Sequence, residues 1–459
     1  MRRLTCFALV VLILTGLPAC SHLNEPGLVP VGAAKVDITP DYPIRLSGYG
    51  SRREETTTIE QRIFAKALAM GSGDETTVLL SVDATGVPAE LTEEVASRLA
   101  RKAGVRRERF ALCVTHTHSA PCLKGYLTTL FGQPMPADHQ AHVDRYTQEF
   151  ADKLEQAALA ALRNRSAGRL AFGQGAVRFG ANRRTPGGPS DNDVPILRVT
   201  DPEGNLRAVV FNYACHCTTM TGEFNTICGD WAGFAQENVE RAHPEAVALA
   251  VIGCGGDQNP HPRPGIDLAR RHGREMSDEV LRLVNAPLTP IDALPRCQLR
   301  WIDLPFDPVP GRAEWEERAK RQDAIGYHAR VQLEKLDRGQ SLQTVLHYPI
   351  QTWTFEDDLA MVLLAGEVVV DYALRLKREF DPNRLWVTAY NNDVPCYIPS
   401  VRILDEGGYE AEGAMTYYDM PGRLAPVVEE RIVATVHELL PDPFRVATSQ
   451  PAGVALQPQ

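Results

Sequence analysis

The sequence predicts a layered α/β domain, a mixed β-sheet core with helices flanking it. Three observations predict it. Short apolar runs of strand length alternate with longer segments of helical periodicity. Several runs, 110–114 and 208–211 among them, are apolar throughout, as buried strands are. Polar, histidine-bearing segments closely follow those two runs, where an α/β domain carries its functional loops.

The elements follow in order. Residues 78–83 read as a buried strand ending in a carboxylate, 89–103 as a helix, and 110–114 as the next strand. Residues 143–162 form a long amphipathic helix, because Tyr146, Phe150, Leu154 and Ala158 recur at helical spacing. Strands are expected at 169–172, 195–199 and 206–213, a helix at 233–242, a buried strand at 247–253 and a helix at 266–283. The charged stretch 314–336 has few apolar positions and reads as one solvated helix. Strand-like runs at 346–355 and 359–364, a helix at 368–378, a strand at 386–390 and a closing helix at 424–440 complete the series. No linker or internal repeat divides the chain, so one catalytic domain is expected over 31–440, with a loose tail over 441–459.

The first residues carry an address. Met1-Arg2-Arg3 precedes an apolar run, 7–17, too short for a stable bilayer anchor. Leu17-Pro18-Ala19-Cys20-Ser21 resembles a bacterial lipobox. The expectation is a signal peptide over 1–20, a lipidated Cys20 and a tether over 21–30. That implies an exported protein, periplasmic or outer-surface, attached to a membrane by its N-terminal lipid. Pro18 is unusual in that motif, and plain signal cleavage is the alternative.

A formal net charge of −10 and the lack of a basic stripe argue against a nucleic-acid partner. Of ten cysteines, eight lie beyond Cys6 and Cys20, without paired C-x-x-C spacing. A cysteine-only zinc ribbon is therefore not expected. An exported location permits disulfides, but small buried thiols near the site are equally in keeping with the spacing.

Three segments carry metal-site chemistry: Thr115-His116-Thr117-His118, Cys215-His216-Cys217 and Gly253-Cys254-Gly255-Gly256-Asp257-Gln258-Asn259-Pro260-His261. In extended backbone His116 and His118 share a face, so the pair supplies two ligands, or one ligand and one acid/base group. Either histidine motif alone is as readily a polar loop pair or a hydrogen-bonded core residue. A third ligand should be a carboxylate or similar group. Glu367 follows an apolar strand, where a carboxylate must be paired, protonated or metal-bound. A helix-start carboxylate explains it equally well. Asp257 and Asp230 have comparable readings as turn or cap residues.

Taken in order, the motifs resemble those of the neutral, non-lysosomal ceramidase family. Ala33 to Pro40 is similar to its opening strand and Ile-Thr-Pro turn, and Thr115 to Pro121 to its THTHSGP motif. Ala214 to Met220 is similar to its second histidine motif, and Gly229-Asp230 with Gly233-Phe234-Ala235 to its GD-x-x-GYA segment. Gly366-Glu367 resembles its PGE; Tyr397-Ile398-Pro399-Ser400, Tyr409-Glu410 and Gly413-Ala414-Met415 resemble its YITT…YEGAS stretch. The resemblance implies one zinc ion per chain, held by His116, His216, Glu367 and Tyr397. It implies that His118 and Tyr409 face the substrate carbonyl and that Arg183 binds polar substrate groups, with Arg184 as the competing choice. The implied reaction is attack of metal-activated water on an amide of ceramide or a related N-acyl lipid. Asn259 stands where the family has a serine proposed to act at the substrate; it offers a hydrogen bond but no hydroxyl nucleophile. Two alternatives stay open: the same zinc site acting on another amide, ester or carbohydrate linkage, and a non-catalytic surface lipoprotein.

Overall fold

The computed structural model describes residues 27–446. The signal-like segment, Cys20 and the tail beyond 446 lie outside the described residues.

Two sheets pack face to face, each with helices on its outer side. The first sheet holds nine strands. They include β1 (Val29–Asp37), β2 (Phe64–Met70), β3 (Thr77–Val82) and β4 (Phe110–Val114). Later strands are β5 (Ser166–Ala176), β6 (Asp193–Thr200), β7 (Leu206–Tyr213), β8 (Val247–Ile252) and the short β9 (Thr289–Ile291). Their spatial order is 8-7-6-5-1-2-3-4, with β9 on β5. The end pairs β3/β4 and β7/β8 are parallel and the inner pairings antiparallel, so the sheet is mixed. The second sheet runs β10 (Arg296–Pro305), β11 (Val345–Phe355), β12 (Leu359–Leu364) and β13 (Leu385–Thr388), with only β12/β13 parallel.

The interface between the sheets explains why so many strands are apolar on both faces. Leu68, Leu79, Phe172, Leu197, Val210 and Leu249 of the first sheet meet Trp353, Phe355, Met361, Leu363 and Trp386 of the second. The opposite face of the first sheet receives α1 (Ala89–Ala103) and α2 (Ala137–Arg163), with α3 (Asp230–Ala242) and α4 (Ile266–Val284) beyond them. The layered α/β expectation thus holds, in a form with two central sheets. Among the described residues no helix is long and apolar enough to cross a membrane.

Several boundaries differ from expectation. The 314–336 stretch is two helices, α5 (Arg312–Arg318) and α6 (Ala324–Asp337). It is not a solvated excursion, because Trp315, His328, Ala329 and Gln332 are buried. The last long helix spans Val428–Leu439, starting later than the apolar pattern suggests. Packing continues past 440: Phe444 is buried, and its carbonyl accepts from Asp381 N at 2.8 Å. All eight cysteines of the described residues are free thiols, and all but Cys297 are buried.

Candidate metal centre

Backbone geometry brings the histidine motifs together. Past the ends of β4 and β7, Thr117 and Cys217 form a parallel bridge, and His118 N donates to Cys217 O at 3.2 Å. His116 has φ +55, a left-handed conformation unusual for a residue other than glycine. That turn aims its ring inward, where Nδ1 bonds Thr85 O at 2.5 Å. Beyond β12, Glu367 lies directly opposite Tyr397 in a two-residue parallel ladder, which sets the carboxylate beside the phenol. The short strand Gly180–Asn182 pairs with Gln258–Pro260, and Arg183 N donates to Asp257 O at 2.8 Å; Arg183 and Asn259 thereby face the same point.

The candidate ligand atoms converge tightly. Glu367 Oε2 lies 2.9 Å from His216 Nε2 and 3.2 Å from His116 Nε2. Tyr397 Oη is 3.2 Å from His216 Nε2, and His118 Nε2 is 3.0 Å from His116 Nε2. His116, His216, Glu367 and Tyr397 are buried, while His118 is half-buried.

The hydrogen-bond partners show what such a cluster needs. Nδ1 of His116 faces Thr85 O, that of His118 faces Gly48 O at 3.1 Å, and that of His216 faces Gly255 O at 2.7 Å. A carbonyl oxygen only accepts, so each Nδ1 carries the proton and each neutral ring turns an Nε2 lone pair to the centre. Three such lone pairs and a buried carboxylate then face one another, an arrangement that calls for a cation among them. Protonated imidazoles are a poor substitute. Burial, reinforced by Arg183, pushes the His216 imidazole down to about 4. Burial and the neighbouring imidazoles push His118 well below its ordinary value. For Glu367, burial favours the neutral acid, but the imidazoles outweigh it and hold the carboxyl well below the usual range. The residues present fit a metal ion, and carbonyl-anchored imidazoles are the outer support such ligands have. Burial pushes the Tyr397 phenol well up, with Arg183 opposing it, so its ionisation needs a cation close by.

The other predicted residues fall around this centre. Arg183 Nη2 donates to Tyr397 Oη at 2.9 Å and Nε to Glu410 at 2.7 Å; Nη1 lies 3.3 Å from His216 Nε2 and 3.5 Å from Asn259 Oδ1. Arg184 turns away to Glu406, Glu410 and the Gly407 carbonyl, so Arg183 is the arginine that reaches the cluster. Asn259 also accepts from Thr218 Oγ1 at 3.2 Å. The Tyr409 ring stands edge-on to Tyr397 at 5.5 Å and is 46% exposed, at the rim rather than among the ligands. Asp257 and Asp230 do structural work. Asp257 accepts from Val370 N at the start of α7 (Val370–Glu379), and Asp230 from Thr219 N and Trp231 N.

One close contact had no sequence signal: Tyr418 donates from its hydroxyl to Glu367 Oε1. It follows the last recognisable motif in a stretch with no pattern of its own. A cavity of about 510 Å³ borders the cluster through Gly48, Tyr49 and Tyr409 and also meets Ser51, Arg53 and Gln133. A second, of about 380 Å³, is lined by Leu123, Leu127, Met135 and Val143 and shares Leu130 and Phe131 with the first.

Residues 30–252 match the family described as neutral/alkaline non-lysosomal ceramidase, N-terminal; the match takes in His116, His118, Arg183 and His216. The fold is similar to neutral ceramidase from Pseudomonas aeruginosa, with TM-score 0.70 and 19% identity over 92% of this chain and 76% of that one. It is also similar to a ceramidase complexed with C2, with TM-score 0.68 and 19% identity over 91% of this chain and 76% of that one. Residues 30–252 are thus similar to the neutral/alkaline non-lysosomal ceramidase N-terminal family, and the fold as a whole is one the chain shares with solved ceramidases.

Proposed function

We propose that this protein is a zinc-dependent hydrolase that cleaves the amide bond of ceramide or a related N-acyl lipid. The carrying observation is the convergence of Glu367 Oε2 with the Nε2 atoms of His116 and His216 at 3.2 and 2.9 Å, Tyr397 Oη alongside. His116, His216, Glu367 and Tyr397 would hold the ion. When bound there, zinc supplies Lewis acidity and brings the pKa of a coordinated water near neutrality.

The remaining residues act on the substrate. His118, its Nδ1 fixed on Gly48 O, turns its Nε2 lone pair to the centre, 3.0 Å from His116 Nε2, where it would take a proton from the attacking water and return it to the leaving nitrogen. Arg183 orients the Tyr397 phenol and, with Asn259, offers polar contacts at the same edge. Tyr409 stands at the rim, placed to donate to the carbonyl oxygen as charge develops on it. The apolar side of the second cavity, Leu123, Leu127, Leu130, Phe131, Met135 and Val143, faces Lys124, Gln133 and Gln140 and would take an acyl chain along that side. A second reading has one observation in its favour. The mouth presents Ser51, Arg53 and Gln133 with Tyr49 and Tyr409, a lining suited to a more polar amide, ester or glycoside. We further propose that Cys20 is lipidated and tethers the exported protein to a membrane; mass spectrometry of the mature N-terminus tests this.

The test is hydrolysis of an N-acyl sphingosine beside short-chain amides, esters and glycosides, with and without added zinc. Zinc-dependent release of fatty acid from the N-acyl sphingosine supports the first reading. Turnover confined to a polar substrate would replace it with the second, and no turnover of any of them would remove both.

A further inference from the structure

Glu367 has two carboxylate oxygens with separate duties. Oε2 faces His116 and His216. Oε1 receives the hydroxyl of Tyr418, a residue buried among aromatic neighbours. The Tyr418 ring stands edge-on to Tyr397 at 6.2 Å and to Tyr126 at 6.1 Å. These contacts fix the ring plane and so the direction of its O–H.

The backbone beside Tyr418 is held from a distant part of the chain. Asp419 has φ +59, and its carboxylate is gripped by α6: Gln332 Nε2 donates to Oδ1 at 2.5 Å and Lys335 Nζ meets Oδ2 at 2.7 Å. On the other side, Thr129 Oγ1 donates to Thr416 O at 2.6 Å. Hydrogen bonds from α6 thus hold Asp419, the chain neighbour of Tyr418, and the Tyr418 hydroxyl reaches Glu367.

We infer that Tyr418 is a positioning residue for Glu367, holding the carboxylate so that Oε2 alone addresses the metal position, with α6 as its anchor through Asp419. The inference rests on the proposed metal site. A hydrogen bond to the outer oxygen of a ligating carboxylate removes its freedom to rotate and sets how many of its oxygens the ion meets. α6, which the sequence suggested was part of a solvated helix, becomes part of the support of the centre. Among the described residues the hydrogen bond that Tyr418 makes at the centre goes to the carboxylate, and its ring contact goes to Tyr397.

The test is metal affinity and cobalt absorption of Tyr418→Phe, which keeps the ring packing and deletes the donor. Chelator competition should show zinc dissociation about 10–100-fold weaker than wild type, the range for outer partners of metal ligands. The visible spectrum of the cobalt-saturated variant should differ in shape from wild type, which a general loosening of the fold would not produce at saturation. Asp419→Asn, which tolerates the left-handed backbone and weakens the grip of Lys335, should move affinity the same way by a smaller factor. It carries the test if Tyr418→Phe does not fold. Affinity within twofold of wild type with an unchanged cobalt spectrum would overturn the inference and leave the hydrolase reading standing. Weakened metal binding in a protein that cleaves no N-acyl lipid would do the reverse. A wild-type protein that binds no zinc would overturn both.

Discussion

Replacing Asp393 with asparagine should stabilise the protein at high pH and leave it nearly unchanged at low pH. Asp393 is 7% exposed, and among the described residues no cation faces its carboxyl; backbone N–H groups of Ala89 and Val394 bond it, and the charge of Glu90 lies nearby. Burial first, and Glu90 second, raise its pKa from 3.8 to about 8. The sign follows from linkage. A carboxyl whose folded pKa lies above its unfolded one favours the native state when neutral. That contribution is fully present below the unfolded value, near pH 4, and is lost as pH rises through about 8. About four pKa units at about 1.36 kcal/mol each give a swing on the order of 5 kcal/mol. Asparagine stays neutral throughout and does not share the loss. The consequence reaches the centre, because Asp393 O accepts from Gly366 N at 2.8 Å and Cys396 O from Glu367 N at 3.0 Å. Denaturant unfolding of metal-stripped wild type and Asp393→Asn at pH 5 and pH 9 is the assay. The variant should gain several kcal/mol relative to wild type between the two conditions, within that estimate. An equal difference at both pH values would refute the reasoning, since it would mean that the carboxyl does not titrate in this window.

Three further outcomes are expected. Gly48→Ala should lower kcat by at least about tenfold while metal content is retained: Gly48 has φ +87, and an added Cβ would sit 2.6 Å from His118 Cγ, displacing that ring but not His116 or His216. Arg183→Lys should lower kcat/KM about 10–100-fold. A lysine cannot reproduce the guanidinium fork that bonds Tyr397 and Glu410 together, and about 1.5–3 kcal/mol accompanies a lost charge-assisted hydrogen bond; steady-state kinetics on the cleaved substrate check this. Trp315→Ala should cost about 3–5 kcal/mol in denaturant unfolding, the usual range for a fully buried tryptophan, whereas a solvated helix would show under about 0.5 kcal/mol.

The fold was legible where one physical signal dominated. Residues 89–103 and 110–114 have the expected limits, because helical period in one and unbroken apolar character in the other leave no competing reading. The strand at Phe64–Met70 gave no such signal, since Lys66 interrupts an alanine-rich run. Its side chain is only 3% exposed and pairs with Glu240 from α3, a partner 174 residues away. The solvated reading of 314–336 failed because charge density conceals single anchors: Trp315 alone buries the face of α5. At the centre, His116 and His216 were legible as histidines beyond strand ends. Glu367 stood out as a carboxylate after an apolar strand but was equally well read as a helix-start residue, and Tyr397 came from resemblance alone, since their pairing depends on a two-residue ladder that leaves no periodicity in the sequence. Tyr418 was invisible for the same reason, its role being set by a contact 51 residues along the chain.

Four side chains, His116, His216, Glu367 and Tyr397, are proposed to bind one metal ion. Metal analysis of purified protein, beside His116→Ala prepared identically, tests it most directly. About one zinc per wild-type chain is expected, lost or strongly reduced in the variant, with amide hydrolysis falling in parallel. A wild-type protein that holds no zinc and takes up none when it is supplied, or a variant that retains full zinc content, would contradict it.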